Sequence, residues 1–188
     1  YAPHITLNNG NISTLGGQTY NGAVILGANT TLSSTGGADI VLGGTVNGAK
    51  TLAVNTTGAT TFTGAVGGTT ALTSVTTNAG GTVAINGGSV TTTGAQTYND
   101  AVTLGAATTL TASGVTFNAA VSGTSLAVTG TTAINGGSVT TTGAQSYSAA
   151  VTLGADTTLT ATGVTFGGAV SGAHSLDVSG TTVINGGS

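Results

Sequence analysis

The segment Ile85-Asn-Gly-Gly-Ser-Val-Thr-Thr-Thr-Gly-Ala-Gln-Thr-Tyr98 returns 49 positions later as Ile134-Asn-Gly-Gly-Ser-Val-Thr-Thr-Thr-Gly-Ala-Gln-Ser-Tyr147. The match continues through Ala101-Val-Thr-Leu-Gly-Ala106 and Ala150-Val-Thr-Leu-Gly-Ala155, and Val115-Thr-Phe117 lies over Val164-Thr-Phe166. Half of this unit also resembles the other half, since Leu126 to Ile134 lies over Val151 to Leu159 at a shift of 25. A fixed period in this range marks a repeat architecture, in which each unit buries its apolar side chains against the next. The repeat predicts one coil about every 25 residues.

Four apolar columns follow that spacing along the chain. The first is Leu7, Leu32, Phe62, Ile85, Leu110, Ile134, Leu159 and Ile184. The second runs from Ile12 to Val164 and the third from Leu26 to Val178. The fourth runs from Tyr20 to Val170 and holds Tyr98 and Tyr147. Like residues recurring over like residues fit parallel strands stacked at the strand spacing of about 4.8 Å. A sandwich has no need of a constant period. The expected fold is all-β: a right-handed parallel β-helix, or β-solenoid, of about seven coils and ~36 Å, forming a single segment over residues 1–188. Column residues should be buried and their Thr flanks exposed, with Ile134 touching Leu159 in one stack. Gly10, Gly88, Gly137 and Gly187 fit corners that need positive φ. Pro3 is the only proline and precedes every column residue. In the N-terminal third, Gln18-Thr-Tyr-Asn-Gly-Ala-Val24 echoes Gln96-Thr-Tyr-Asn-Asp-Ala-Val102 at a distance of 78, so one extra coil is expected around Thr60 to Gly81.

The composition suits this reading. The 34 Gly and 43 Thr make up about two-fifths of the 188 residues. Thr and Val favour strands, while Gly and Asn favour corners. Asp39, Asp100, Asp156, Asp177 and Lys50 are the only charged side chains, and the net charge is −3. One cation cannot neutralise a row of phosphates, so nucleic acid is not an expected partner. With no Cys, disulfides and thiolate metal sites are excluded. No apolar run approaches the ~20 residues of a membrane-spanning helix, and membrane insertion by this segment is not expected. The chain starts and stops in mid-coil, as expected of a fragment of a longer array.

No residue set spells out a reaction. The four Asp are scattered and read as solvated surface carboxylates, and no pair has the defined separation that acid–base catalysis needs. His4 and His174 lie near opposite ends, so a shared metal is not expected. The Asn-Gly-Gly-Ser segments lack the Asp of calcium-binding nonapeptides. The Gly-Gly pairs have neither the Lys nor the helix of a phosphate loop. Sequons at Asn11, Asn29 and Asn55 match chance expectation in so Thr-rich a chain. A lyase-type enzyme would need Arg or Lys to stabilise developing charge. No catalytic, cofactor-binding or metal-binding residue is therefore expected. Two ladders remain. Thr pairs flank the first column at Thr31/Ser33, Thr61/Thr63, Thr109/Thr111 and Thr158/Thr160, mostly in every second coil, where ice binding would want them in all. Tyr20, Tyr98 and Tyr147 could stack on sugar rings, but a packed ring with its hydroxyl at the rim is the commoner arrangement.

From Thr6 to Ser188 the chain resembles the repeats of large bacterial surface exoproteins, the filamentous-haemagglutinin-like and autotransporter-like adhesins. The residues that carry the resemblance are Gly58-Ala-Thr-Thr-Phe-Thr-Gly-Ala-Val66, Ile85 to Tyr98 and Ala101 to Ala106. It implies a right-handed β-helical shaft secreted to a bacterial cell surface, acting as stalk, adhesin or matrix component without catalysis. The partners expected on that basis are further coils of the same solenoid, self-associated copies, or host and matrix glycans. The alternative is a glycan- or ice-binding solenoid that uses Tyr or Thr ladders.

Overall fold

The computed structural model describes residues 4–186. Pro3 and the expected corner at Gly187 lie outside them. No helix occurs among the described residues, and every strand pairing is parallel. The pairings sort into three faces, visited in the order I, II, III on each turn. Face I carries ten levels: Ile5, Val24, Val46, Val66, Val90, Leu110, Val128, Tyr147, Phe166 and Ile184. Face II stacks Ile12, Leu32, Val54 and Thr77, then Tyr98, Phe117, Ile134 and Leu153. Face III stacks Gln18, Ile40, Thr60, Val83, Val102, Val121, Val139, Leu159 and Val178.

The chain is thus a β-solenoid of about ten turns, and the expected count of seven coils of about 25 residues is corrected. One turn takes between 17 residues, Val115 to Thr132, and 24, Val66 to Val90. The misreading has a geometric cause. One face needs about six residues, so the 49-residue unit spans eight faces, or two turns and two-thirds. The shift of 25 spans four faces, one turn plus one face. The first column therefore winds round the rod instead of running along it: Leu110 is on face I, Ile134 on II, Leu159 on III and Ile184 on I. Ile134 pairs with Phe117 and Leu153, not with Leu159, which pairs with Val139 and Val178. From Gln18 to Gln96 the chain crosses eleven faces, three more than the unit. The loose N-terminal third therefore contains one extra turn.

Inside and outside follow the period-two alternation of strands. Leu7, Leu32, Phe62, Ile85, Leu110, Ile134 and Leu159 are buried, while Ile184 in the last turn is 68% exposed. Their Thr flanks are exposed or half-buried. Gly88 and Gly137 hold positive φ at their corners, 71° and 72°. Gly10 does not; a Cβ there would lie 2.8 Å from the Asn29 carbonyl oxygen, so space rather than φ calls for glycine.

Candidate functional site

Three copies of one polar module tie the turns together. Thr14, Gly16, Gln18 and Tyr20 follow one another at every second position around a corner between two strands, as do Thr92, Gly94, Gln96 and Tyr98, and Thr141, Gly143, Gln145 and Tyr147. In each, the Thr hydroxyl donates to the Gly carbonyl, at 2.7, 2.8 and 2.9 Å respectively. The Gln96 amide nitrogen donates to the Val90 carbonyl in its own turn and to the Thr111 carbonyl in the next, both at 3.0 Å. Gln145 does the same with Val139 and Thr160, and Gln18 with Ile12 and Ser33. Tyr20, Tyr98 and Tyr147 donate their hydroxyls to Oε1 of the Gln two residues back, at 2.8, 3.0 and 3.1 Å. One module sits at each kind of corner, between faces II and III, I and II, and III and I.

This placement corrects the reading of the tyrosines. Tyr98 and Tyr147 are fully buried, on different faces, and their hydroxyls are enclosed instead of reaching the rim. Each ring stacks on a phenylalanine one turn away: Tyr98 on Phe117 and Tyr147 on Phe166, with centroids 5.7 Å apart in both pairs. Burial pushes both phenols well above their ordinary pKa, so they stay protonated donors, and it raises half-buried Tyr20 as well. No row of exposed rings exists among them.

The carboxylates also act locally. Asp39 and Asp156 are exposed, as expected, and their Oδ1 atoms accept the Ala59 and Ser175 amides of the following turn at 2.8 and 2.9 Å. Asp100 is not a solvated surface group. It is 3% exposed, its Oδ1 accepts the Gly81 amide at 2.7 Å, and its Oδ2 has no hydrogen-bond partner. Asp177 is exposed on face III beside Thr158. His4 lies in the first described strand, whereas His174 Nδ1 is 3.4 Å from Asp156 Oδ1 near the last. No group of three His, Cys, Asp or Glu side chains placed to hold a metal occurs among the described residues. Asn11, Asn29 and Asn55 are exposed, and Asn29 caps the Thr51 amide at 3.1 Å.

An asparagine ladder climbs the corner after face II. Asn118 donates to Asn99 Oδ1 at 2.6 Å and Asn135 to Asn118 Oδ1 at 2.7 Å. The ladder stops at Gly154, where an added Cβ would fall 2.0 Å from the Asn135 Oδ1. Asn8 over Gly27 and Asn86 over Gly105 repeat that pairing.

The Thr pairs that flank the first column do not form one row, because that column winds. Thr31 is on face II, Thr61 and Thr158 on III, and Thr109 on I. One row of hydroxyls does run straight: Thr103, Ser122, Thr140, Thr160 and Ser179, in register on five consecutive turns of face III. Beside it lies a concavity of the surface lined by Leu104, Ser122, Gly123 and Thr140 to Thr142. Sequence reasoning missed this groove because its position depends on turn length. It missed the Gln–Tyr module although the alternation Thr-x-Gly-x-Gln-x-Tyr was there to find it. No family model, no curated protein and no solved structure matches this chain.

Proposed function

We propose that this chain is a non-catalytic structural segment, the shaft of a secreted or surface-exposed bacterial adhesin or extracellular filament. The supporting observation is how the functional groups are spent. The buried Gln amides, the stacked Tyr and Phe rings and an exposed Asn ladder bind one turn to the next, and the exposed rows between Thr51 and Ala155 carry no exposed charged side chain. Such a rod offers length and stiffness, with nothing poised to react. We take its winding as right-handed, the hand of nearly all crossovers between parallel strands. The strand Leu176–Ile184 pairs with Thr157–Phe166 and leaves Leu176 and Val183 37% and 44% exposed. A second copy stacking on this strand is the partner proposed for its exposed edge. Immunogold labelling of intact cells expressing the natural gene tests the proposal. Label along surface fibres or stalks is the expected result; protein confined to the cytosol overturns it.

A further inference from the structure

The tightest turns of the rod border a groove in its surface. The winding closes in 17 residues from Val115 to Thr132 and in 18 from Val121 to Val139, against 20 from Val139 to Leu159. The corner after Leu104 contains Gly105 and Ala106, whereas the one after Gly123 contains only Thr124, and the register shifts there. Gly123 also takes an inward position between Leu104 and Thr141 without filling it, at a φ of 147°. The surface sinks at this point into a shallow groove of about 630 Å³.

The lining of this groove defines what it can hold. Carbon atoms of Gly123 and the threonines around it, lying over buried Leu104, give it a largely apolar floor. Ser122, Thr140 and Thr160 stand exposed along it in register on three consecutive turns, with exposed Thr142 beside them. No charged side chain lines it, so a charged ligand would lose hydration with no counter-charge to replace it. A purely apolar ligand would instead strand the hydroxyl row. An uncharged polyhydroxylated chain avoids both costs. Its C–H faces lie on the floor, and its hydroxyls exchange hydrogen bonds with a row repeating every ~4.8 Å. We propose that this groove binds a linear neutral polysaccharide lying along the rod axis. The site goes beyond the shaft role and makes no use of the buried tyrosines.

With a net charge of −3 the protein migrates in native gels, so affinity electrophoresis is a direct test. The probes are hydroxyethylcellulose and galactomannan, with alginate as the anionic comparison. The wild type should be retarded in at least one neutral gel and run freely in alginate. Thr140→Val with Thr160→Val should raise the apparent Kd about tenfold, as expected for two lost hydrogen bonds. Thr76→Val with Thr97→Val, in register on face II, should leave it unchanged. Free migration of the wild type in both neutral gels overturns the proposal. So does equal retardation in alginate, or equal loss in the two double variants.

Discussion

Two turns of the same rod enclose the same kind of core with very different lengths of chain. The turn from Val66 to Val90 uses 24 residues, and the one from Val115 to Thr132 uses 17. In the long turn the surplus lies outside the faces, as in the stretch from Gly67 to Ala71, where Asn47 Oδ1 caps the Thr69 and Thr70 amides at 2.9 and 3.1 Å. In the short turn the corners nearly vanish, and the strands Ala101–Phe117 and Val121–Ile134 bend through them with only register shifts. A face needs a fixed set of inward side chains, whereas a corner needs only enough backbone to turn. Length therefore varies at corners while the stacks stay aligned.

If corners hold the slack, a cavity should cost more where there is none. Phe117→Ala, under the Tyr98 ring in the short turn, should lower stability by about 3–5 kcal/mol. Leu72→Ala is equally buried but follows the long corner, and should fall near the lower end of about 2–5 kcal/mol as spare residues collapse inward. Urea denaturation of both variants decides it. A Leu72→Ala loss above that of Phe117→Ala breaks the comparison.

Stacking order is the next place to press. Ile134→Ala should cost roughly 2–5 kcal/mol. In double-mutant cycles, Ile134 should couple with Leu153, its neighbour on face II, by at least about 0.5 kcal/mol, and should add independently with Leu159. Coupling to Leu159 alone would restore the 25-residue coil.

The polar modules sharpen the comparison at lower energy. Gln96→Leu strands the hydroxyl of fully buried Tyr98, an expected loss of about 1–3 kcal/mol. Gln18→Leu should cost less, because half-buried Tyr20 can turn its hydroxyl to water. Thermal melts of equal size would mean that enclosure of the phenol does not matter. At the corners, Gly154→Ala displaces the Asn135 carboxamide from its ladder at a cost of about 1 kcal/mol, and Asn135→Ala in the same chain should recover most of it. Thr109→Ser, on an outer face, should change stability by no more than about 0.5 kcal/mol.

How much of this was legible follows from what repetition measures. Inward residues could be read directly, since Leu32, Phe62, Ile85, Leu110 and Ile134 are apolar and strand alternation sends them to one side. The turn was hidden, because a self-similar sequence on three equivalent faces repeats in multiples of a face. Tyr98 and Tyr147 look like one column in sequence, yet lie on faces II and I. Asp100 was misplaced because a lone Asp beside Asn99 gives no sign that its carboxylate will be enclosed. The groove at Gly123 was invisible for the same reason as the turn: it exists only where a short winding meets longer ones.

The smallest expected effect concerns the last turn, where neither slack corner nor enclosed core decides the outcome. The Asp156 carboxylate is held below the ordinary carboxylate range, first by the Ser175 backbone N–H, then by the Ser175 hydroxyl, with His174 adding to both. Since the folded state lowers this pKa, the anchoring is complete above the ordinary value of about 4 and fades as pH falls through the lowered one. The group is fully exposed, so global stability should not register the change. Hydrogen exchange at the Ser175 amide should. After correction for intrinsic rates, its protection should drop on acidification while that of the enclosed Thr56 amide, held by the uncharged Asn78 carboxamide, persists. Asp156→Asn should keep the carbonyl acceptor and abolish the pH dependence at Ser175. If both amides lose protection together at one pH, the turns melt as a unit, and the contrast between exposed and enclosed corners does not extend to their dynamics.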